Sequence, residues 1–341
     1  MEIMEKEQIE QQPAQKKTQT QQIVEQLEKG VSEVFESEQY KQYLQVMSKF
    51  HSYSYNNILL IAMQCPGATM VAGYESWQRL FKRHVSKGEK AIKILAPCPY
   101  KKVILQDVTD PVTHQPIRDA QGNIVKEKVQ ITIPAFRPVS VFDVSQTEGE
   151  PLPEMATVQE LIGEVDGFDT LQEIVESMAP CAVYHKDIEG SAKGYYSPAD
   201  NQIVIKNGLA QQQEIKTMIH EIAHSLLHNS EKLKESKTKI SRNDMEVQAE
   251  SVAYTVCSAL GIDTSEYSFG YIAGWSKGKE IKELKNALEL ICDTASSMIF
   301  HIENKLTERY EEKYGKKHGE SALVDIAGET EKTQKHKGLH K

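Results

Sequence analysis

The segment His220-Glu221-Ile222-Ala223-His224 constrains this chain more than any other part of its sequence. Residues four apart in a helix lie on one face, so the two imidazole rings project from the same side. Two neutral imidazole nitrogens at that spacing can bind one Zn²⁺ ion, and the glutamate between them can act as a general base. The apolar neighbours repeat with the helical period and predict a buried stripe: Ile219, Ile222, Ala223, Leu226 and Leu227.

A third metal ligand is predicted in a later helix. Catalytic zinc sites have three protein ligands and one open position. Glu246 and Glu250 lie four residues apart, and Ala249 and Ala253 share their stripe. We expect one of these carboxylates to bind the metal and the other to accept the free N–H of a histidine ligand. His228, which extends the face of the first helix, is expected to be structural.

Each part of this constellation also has a simpler interpretation. The five-residue motif arises by chance in some chains of this length. The two histidines are compatible with the exposed face of a surface helix, and the two glutamates with a solvent-facing pair. The occurrence of both features in one chain favours the metal site over these alternatives.

Length and composition limit the classes of protein to which the chain can belong. Its 341 residues suffice for about two domains. No apolar run approaches the ~18 residues of a membrane helix, and the polar stretch Met1 to Gln22 does not resemble a secretory signal. We therefore expect a cytoplasmic protein without a membrane partner. The five cysteines form no C-x-x-C pair, which disfavours a thiolate metal site and a disulfide framework.

A basic segment stands out against the net charge of −9, which by itself argues against a nucleic-acid partner. Between Tyr74 and Lys102, eight basic residues face only two acidic ones, and four aromatic residues are interleaved with them. Cationic groups that follow a phosphate backbone, with aromatic rings for base stacking, are typical of single-strand binding. A solvated charged surface with Trp77 and Phe81 in the core would give the same pattern. The candidate DNA-binding residues are Trp77, Arg79, Lys82, Arg83, Lys87, Lys90 and Lys93.

The hydrophobic pattern predicts an α+β fold with two domains. Residues 1–22 are expected to be disordered, 23–153 to form a mixed α/β domain, 154–314 a mostly helical domain with a small sheet, and 315–341 a disordered tail. The first domain is predicted to have helices from about residues 23, 37 and 55, a turn at 119–123, and strands at 91–95, 102–105, 129–134 and 137–142. The second is predicted to have helices at about 157–164, 170–178, 211–229, 243–260 and 280–314, and strands at 182–185 and 202–205.

Several stretches of the first half are similar to the N-terminal domain of ArdC-type antirestriction proteins. They are Tyr55-Asn56-Asn57-Ile58-Leu59-Leu60, Gln64-Cys65-Pro66, Val71 to Trp77, Val85 to Pro97, and Val141 to Glu150 at the end of the domain. The resemblance covers about residues 31–153. It implies a domain that binds single-stranded DNA, of the kind carried by plasmids, conjugative elements and phage.

The second half resembles the zincin-like partner of that domain and, more loosely, peptidases that cleave repressors of phage and mobile elements. This resemblance implies that Glu246 is the third zinc ligand and that Glu250 supports a histidine ligand. The expected protein is a mobile-element hydrolase that binds single-stranded DNA and cleaves a protein or peptide substrate with zinc, in antirestriction or repressor cleavage. The strand at 202–205 is expected to pair with the substrate. The alternative is a non-catalytic DNA-binding antirestriction protein with a structural or vestigial metal.

Overall fold

The structure is a computed structural model and describes residues 18–111, 113–152, 167–235, 240–267 and 269–314. The helices are α1 (Gln19–Glu33), α2 (Ser37–Lys49), α3 (Tyr55–Gln64), α4 (Tyr74–Phe81), α5 (Phe168–Glu176), α6 (Gln211–Leu227), α7 (Ser230–Glu235), α8 (Arg242–Ala259), α9 (Ile272–Ser276) and α10 (Ile281–Tyr314). The strands are β1 (Val71–Gly73), β2 (Arg83–Val85), β3 (Ile92–Pro97), β4 (Tyr100–Asp107), β5 (Lys126–Ile133), β6 (Phe136–Asp143), β7 (Thr147–Gly149), β8 (Ala182–Lys186), β9 (Gly194–Ser197) and β10 (Gln202–Lys206). Helices with several small, separate sheets make this an α+β fold, as predicted.

Helices of the first half contribute to the core of the second half. α2 packs along α8, and α1 packs along α10. Tyr40 in α2 is buried, and its hydroxyl shares a hydrogen bond of 2.7 Å with that of Ser251 in α8. One continuous cluster of buried apolar side chains runs from Ile23 in α1 to Leu306 in α10. The domain boundary near residue 153 therefore stays a prediction from the sequence.

Helix α1 differs from its sequence prediction at its start. The hydroxyl of Thr18 accepts the N–H of Gln21 at 3.2 Å and caps the helix. Residues 19–22, which were expected to be disordered, consequently form the first turn. Gly30 lies where α1 crosses α3, and a Cβ atom there would lie 2.4 Å from Sδ of Met63. The glycine weakens the helix locally but allows the two helices to approach closely.

The sheet of the first half has the order β1-β6-β3 and is antiparallel throughout. Side-chain amides of α3 take the place of a further strand at the edge of β3. The Asn57 amide donates to the Leu95 carbonyl and accepts the Leu95 N–H, both at 2.9 Å. Gln64 bonds the backbone of Lys93 in the same two-way manner, again at 2.9 Å. The polar groups of the edge strand are thus satisfied.

Strands β4 and β5 form a hairpin that pairs in register from Tyr100↔Ile133 to Asp107↔Lys126. Most of its side chains are exposed, including Val103 and Leu105. The predicted turn at 119–123 is present beyond the paired strands. There the carboxylate of Asp119 accepts backbone N–H groups from Gln121 and Asn123, at 2.9 and 2.8 Å.

The sheet of the second half has the order β8-β10-β9, with β8 parallel and β9 antiparallel to β10. β10 corresponds to the strand that was expected to pair with substrate. That expectation is wrong, because neighbouring strands occupy both edges of β10. β9, which the sequence prediction missed, lies at the edge of this sheet and packs against α6. At Gly194 in β9, a Cβ atom would lie 2.7 Å from Cγ2 of Thr217, so this contact requires glycine.

The long helices and the strands with clear periodicity lie within a few residues of their predicted bounds. The elements that were missed are short: β1, α4, β2, β7, β9, α7 and α9. Fewer than nine residues give a weak periodic signal. The predicted helix at 157–164, residues 1–17 and the tail at 315–341 lie outside the described residues. No helix within the described ranges is both long and apolar enough to cross a membrane.

Candidate metal and peptidase site

Helices α6 and α8 bring together the three residues predicted to bind a metal. Nε2 of His220 and Nε2 of His224, one turn apart on α6, lie 3.1 Å from each other. Oε2 of Glu246, from the first half of α8, lies 3.6 Å from Nε2 of His220 and 3.4 Å from Nε2 of His224. α6 packs against α8, and the small side chains of Ala223, Ala249 and Ala253 on these helices are fully buried.

These separations fit a single tetrahedral ion. Zinc bonds of about 2.0–2.1 Å place the ligand atoms of a tetrahedron about 3.3–3.4 Å apart. The three observed separations, from 3.1 to 3.6 Å, surround that value. Two imidazole nitrogens and one carboxylate oxygen are also a donor set that suits a divalent metal. The arrangement leaves a fourth position for water or substrate.

Glu221 lies on the wall of a cavity of about 350 Å³ beside this cluster. Its side chain is buried, and it accepts the backbone N–H of Tyr196 in β9. Burial raises the pKa of the Glu221 carboxyl, although His220 and His224 oppose the rise. Gly194, Thr217 and His220 line the same cavity. A carboxylate with a raised pKa beside three metal donors is well placed to accept a proton.

A chain of buried side chains supports His224 from behind. Nδ1 of His224 lies 3.0 Å from Nδ1 of His228, and Nε2 of His228 lies 2.9 Å from Oε1 of Gln248. Burial lowers the pKa of His228 to about 4, so the ring is neutral. The sequence prediction treated His228 as structural and did not include Gln248. For His228, the signal in the sequence was its position four residues after His224, since this spacing places the two rings on one face of the helix.

Glu250 lies close enough to His220 to influence its charge, but the hydrogen bond that it accepts comes from a tyrosine. The hydroxyl of Tyr271 donates a hydrogen bond to Oε2 of Glu250. The contact expected between this carboxylate and a histidine ligand is made, at His224, by His228 instead. Burial raises the pKa of Glu250. Glu250 lies one turn beyond Glu246 on α8 and borders the cavity, where Tyr271 fixes its orientation.

The candidate DNA-binding residues separate into two groups. Trp77 is fully buried, and its indole N–H donates to the carbonyl of Phe142 at 2.9 Å. A buried ring cannot stack on a base, so we assign Trp77 to the core, together with Phe81. The guanidinium of Arg83 donates to the hydroxyl and to the carbonyl of Thr147, both at 2.8 Å, and so helps to hold the pairing of β2 with β7.

The remaining cationic candidates have exposed side chains: Arg79, Lys82, Lys87, Lys90 and Lys93. Exposed aromatic rings lie at Tyr74, Tyr100 and Phe136. Phe136 was not among the candidates because it lies outside the basic segment of the sequence. The β3–β6 register places Phe136 opposite Pro97 and Ser140 opposite Lys93, whose ammonium donates to the Ser140 hydroxyl at 2.6 Å. Directly paired residues share a face of a sheet, so Phe136 and Lys93 point to the same side.

Comparison with known proteins finds a matching family model in each half of the chain. Residues 13–142 match the N-terminal domain of anti-restriction factor ArdC, and residues 181–266 match the IrrE N-terminal-like domain, Peptidase_M78. The chain has an ArdC-like two-domain architecture. The predicted resemblance to ArdC-type proteins is therefore confirmed at the level of architecture.

Individual relatives of this ArdC-like chain were also found. An uncharacterized protein of Bacillus anthracis is 31% identical over 296 residues, which are 78% of this chain and 48% of that protein. The chain thus spans about half the length of this curated relative. The crystal structure of metal-free antirestriction protein ArdC from the R388 plasmid is 16% identical, with a TM-score of 0.45. Its Mn(II)-bound form is 17% identical, with a TM-score of 0.44. Both alignments cover 74% of this chain and 85% of the other.

The two family matches divide the candidate residues of the ArdC-like chain cleanly. The ArdC match contains the whole basic segment and ends at Phe142, within β6. The Peptidase_M78 match contains the sheet β8-β10-β9 and the helices α6 and α8. It therefore contains all three metal donors and Glu221. The chain therefore joins an antirestriction-type domain to a peptidase-type domain.

Proposed function

We propose that the second half of this ArdC-like chain is a zinc-dependent peptidase, with Zn²⁺ held by His220, His224 and Glu246. The observation that carries the proposal is the spacing of the three donor atoms, 3.1–3.6 Å, beside a cavity that Glu221 borders. The Peptidase_M78 match supports it. Zinc also fits the nitrogen and carboxylate donors of this site.

The residues of the chain have separate roles in this mechanism. When bound, zinc supplies Lewis-acid activation of water and of the peptide carbonyl. The carboxylate of Glu221 accepts the proton of the attacking water and then delivers it to the leaving amine. The Tyr196 N–H orients that carboxylate, and the neutral His228 orients the ring of His224. The burial of Glu221 keeps bulk water away from the proton that it carries.

We propose that an extended peptide pairs with β9 rather than with β10. β9 has a neighbour on one edge, which is β10, and it borders the cavity at Gly194. Within the described residues no strand pairs with its other edge, and backbone groups there, apart from the Tyr196 N–H that Glu221 accepts, can bind a peptide by adding it to the sheet. This position brings the peptide alongside α6, where Glu221 and the metal donors lie.

For the first half, we propose that the exposed basic residues bind single-stranded DNA. Four exposed lysines can contact DNA phosphates without any change in the core: Lys82, Lys87, Lys90 and Lys93. Tyr100 and Phe136, at 51% and 58% exposure, replace the buried Trp77 as stacking surfaces. The domain match to the ArdC N-terminal domain supports this role. Antirestriction and repressor cleavage remain the proposed settings, and the cytoplasmic location stays a prediction.

A second candidate function is a DNA-binding antirestriction protein in which the metal is structural. The observation that favours it is that helices of both halves share one core. A metal that joins α6 to α8 would stabilise α8, on which α2 of the first half packs. In that case no peptide is cleaved, and the activity belongs to the first half.

Substrate trapping separates the two functions. The Glu221→Gln variant should keep the metal and bind substrate without cleaving it. It should therefore retain, from a cell extract, a protein that the wild type cleaves. Glu231→Gln, on the exposed surface of α7, is the matched control. Capture by Glu221→Gln, with cleavage of the same protein by wild type, supports the peptidase. Antirestriction that survives in Glu221→Gln, without any cleavage by wild type, supports the second candidate.

A further inference from the structure

Lys216 is a lysine inside the cavity that none of the roles above uses. Its side chain is 9% exposed, yet it borders the same cavity as His220 and Glu221. The ion pair that it makes is with Glu266, whose Oε2 atom lies 4.0 Å from Nζ of Lys216. Glu266 belongs to a loop, and its side chain is 69% exposed.

The environment of this ammonium favours an additional anion. A buried cation is stable only when it is paired or hydrogen-bonded. A contact of 4.0 Å with a largely exposed partner is at the limit of an ion pair, and pairs with exposed groups contribute little. The Lys216 ammonium therefore has bonding capacity left for a group that enters the cavity.

The other charged groups of the cavity are already engaged. Glu250 accepts the hydroxyl of Tyr271. Nζ of Lys193 donates to Oε1 of Gln213 at 2.7 Å. Glu221 accepts the Tyr196 N–H and is the proposed base. Of the two lysines that line the cavity, Lys216 thus has the more distant partner, whose side chain is 69% exposed.

The position of Lys216 relates it to the cleaved bond. It lies four residues before His220 on α6, which is about 6 Å along the helix axis. An extended peptide advances about 3.3 Å per residue. A peptide that lies along α6, with its scissile bond at the metal donors, would therefore place a side chain or a terminus about two residues away beside this ammonium.

We infer that Lys216 is the specificity-determining residue of the cleft and binds a substrate carboxylate. That carboxylate is an acidic side chain or a free C-terminus, about two residues from the cleaved bond. This inference rests on the proposed peptidase function, of which it specifies the substrate class. Lys216 forms a charge-assisted hydrogen bond with the carboxylate, which takes the place of the exposed Glu266 beside the ammonium.

The test uses the metal-loaded full chain and two sets of short acetylated peptides. Each peptide of the first set has a single Glu at a different position relative to the cleaved bond, and the second set has Gln in place of that Glu. A third set carries a free or an amidated C-terminus, which separates a side-chain carboxylate from a terminal one. Cleavage is measured as kcat/KM, and binding is measured with the Glu221→Gln variant, which needs no turnover. Lys216→Met keeps the buried stem without its charge, and Lys305→Met, paired with Glu308 on α10, is the matched control.

Wild type is expected to prefer one carboxylate position by about 10- to 100-fold, the range of a hydrogen bond to a charged group. Lys216→Met should abolish the preference, Lys305→Met should keep it, and Glu266→Gln should increase it because a competing carboxylate is gone. Equal binding of Glu and Gln peptides at every position, with no preference for a free terminus, overturns the inference, as does a preference that survives in Lys216→Met. Carboxylate-selective binding without cleavage by wild type would sink the proposed peptidase but leave the carboxylate site in place.

Discussion

The Nδ1 atoms of His224 and His228 lie 3.0 Å apart, while Nε2 of His224 faces the carboxylate of Glu246. Oε1 of Gln248, 2.9 Å from Nε2 of His228, only accepts hydrogen bonds, so that nitrogen carries the proton. Nδ1 of the neutral His228 then accepts, and Nδ1 of His224 donates. The lone pair of His224 is consequently left on Nε2, where a metal needs it.

Loss of this chain of hydrogen bonds should weaken metal binding. We expect His228→Phe and Gln248→Leu to reduce zinc affinity by about 10- to 100-fold, the usual cost of removing a group that orients a metal ligand. Gln248→Glu keeps an acceptor and should retain most of the affinity. Competition with a chelator measures the affinity, and His301→Phe is a control far from the metal donors in sequence. Wild-type affinity in both His228→Phe and Gln248→Leu would contradict the role of the chain.

Metal binding should stabilise the whole described core. An ion that binds only the folded protein adds about 2.7 kcal/mol at a free concentration 100 times its Kd. Zinc should therefore raise the Tm of the metal-free protein, because it joins α6 to α8 and α8 packs on α2 and α10. His220→Ala should lose most of this shift. Thermal unfolding with and without zinc provides the measurement, and an equal shift in the variant would place the metal elsewhere.

Glu221→Gln should separate metal binding from catalysis. The amide cannot accept the proton of water, so kcat should fall by about 10²- to 10⁴-fold. The metal content should stay unchanged, because Glu221 is not among the three donors. Single-turnover cleavage of a peptide that wild type cleaves, together with metal analysis, checks both statements. A variant that retains wild-type kcat would remove Glu221 from the mechanism.

Charge reversal should weaken DNA binding in a salt-dependent way. Single-stranded DNA affinity falls with salt with a slope of about −0.7 per phosphate contact, so the double variant of Lys87→Glu and Lys90→Glu should flatten the slope by about 1.4. Trp77→Phe should cost stability without changing DNA affinity, because the indole is buried. Lys282→Glu on α10 is the control. Fluorescence anisotropy over a salt series measures the slopes, and equal slopes for wild type and the double variant would argue against this surface.

Asp143 should make the first half sensitive to acid. Burial alone would raise the pKa of Asp143, but hydrogen bonds from Ser145, Thr69 and Met70 outweigh it and lower the pKa below its usual value. The folded pKa therefore lies below the unfolded value of about 3.9. The resulting stability is present above about pH 4 and is lost as the pH falls through the folded pKa.

The Asp143→Asn variant tests this linkage. It should reduce the free energy of unfolding at neutral pH by about 1–3 kcal/mol, the cost of disrupting buried hydrogen bonds to a charged group. It should also lose the part of the acid dependence that Asp143 contributes. Urea unfolding of both proteins between pH 3 and 7 measures both effects. Parallel pH profiles would contradict the assignment.

The parts of the site that the sequence predicted are those set by local geometry. The spacing of His220 and His224 determines their common face on a helix, whatever the rest of the chain does. Glu246 could be predicted from the sequence because a helix with two carboxylates among alanines is unusual, and because the family resemblance implied this residue.

The missed features depend on contacts between residues distant in sequence. Trp77 lies in an amphipathic, basic segment, and only its hydrogen bond to Phe142 shows that it is a core residue. The central position of β10 depends on β9, a strand of four residues with no clear alternation. Gln248 belongs to the site only because α6 and α8 pack together. Tertiary packing of this kind overrides local patterns.

Anomalous diffraction at the zinc edge, from crystals grown with one equivalent of zinc, tests the central claim most directly. The predicted result is a single strong peak about 2.0–2.1 Å from Nε2 of His220, Nε2 of His224 and one carboxylate oxygen of Glu246. A strong peak elsewhere on the chain, or no peak between α6 and α8, would contradict the proposed zinc site and the peptidase mechanism built on it.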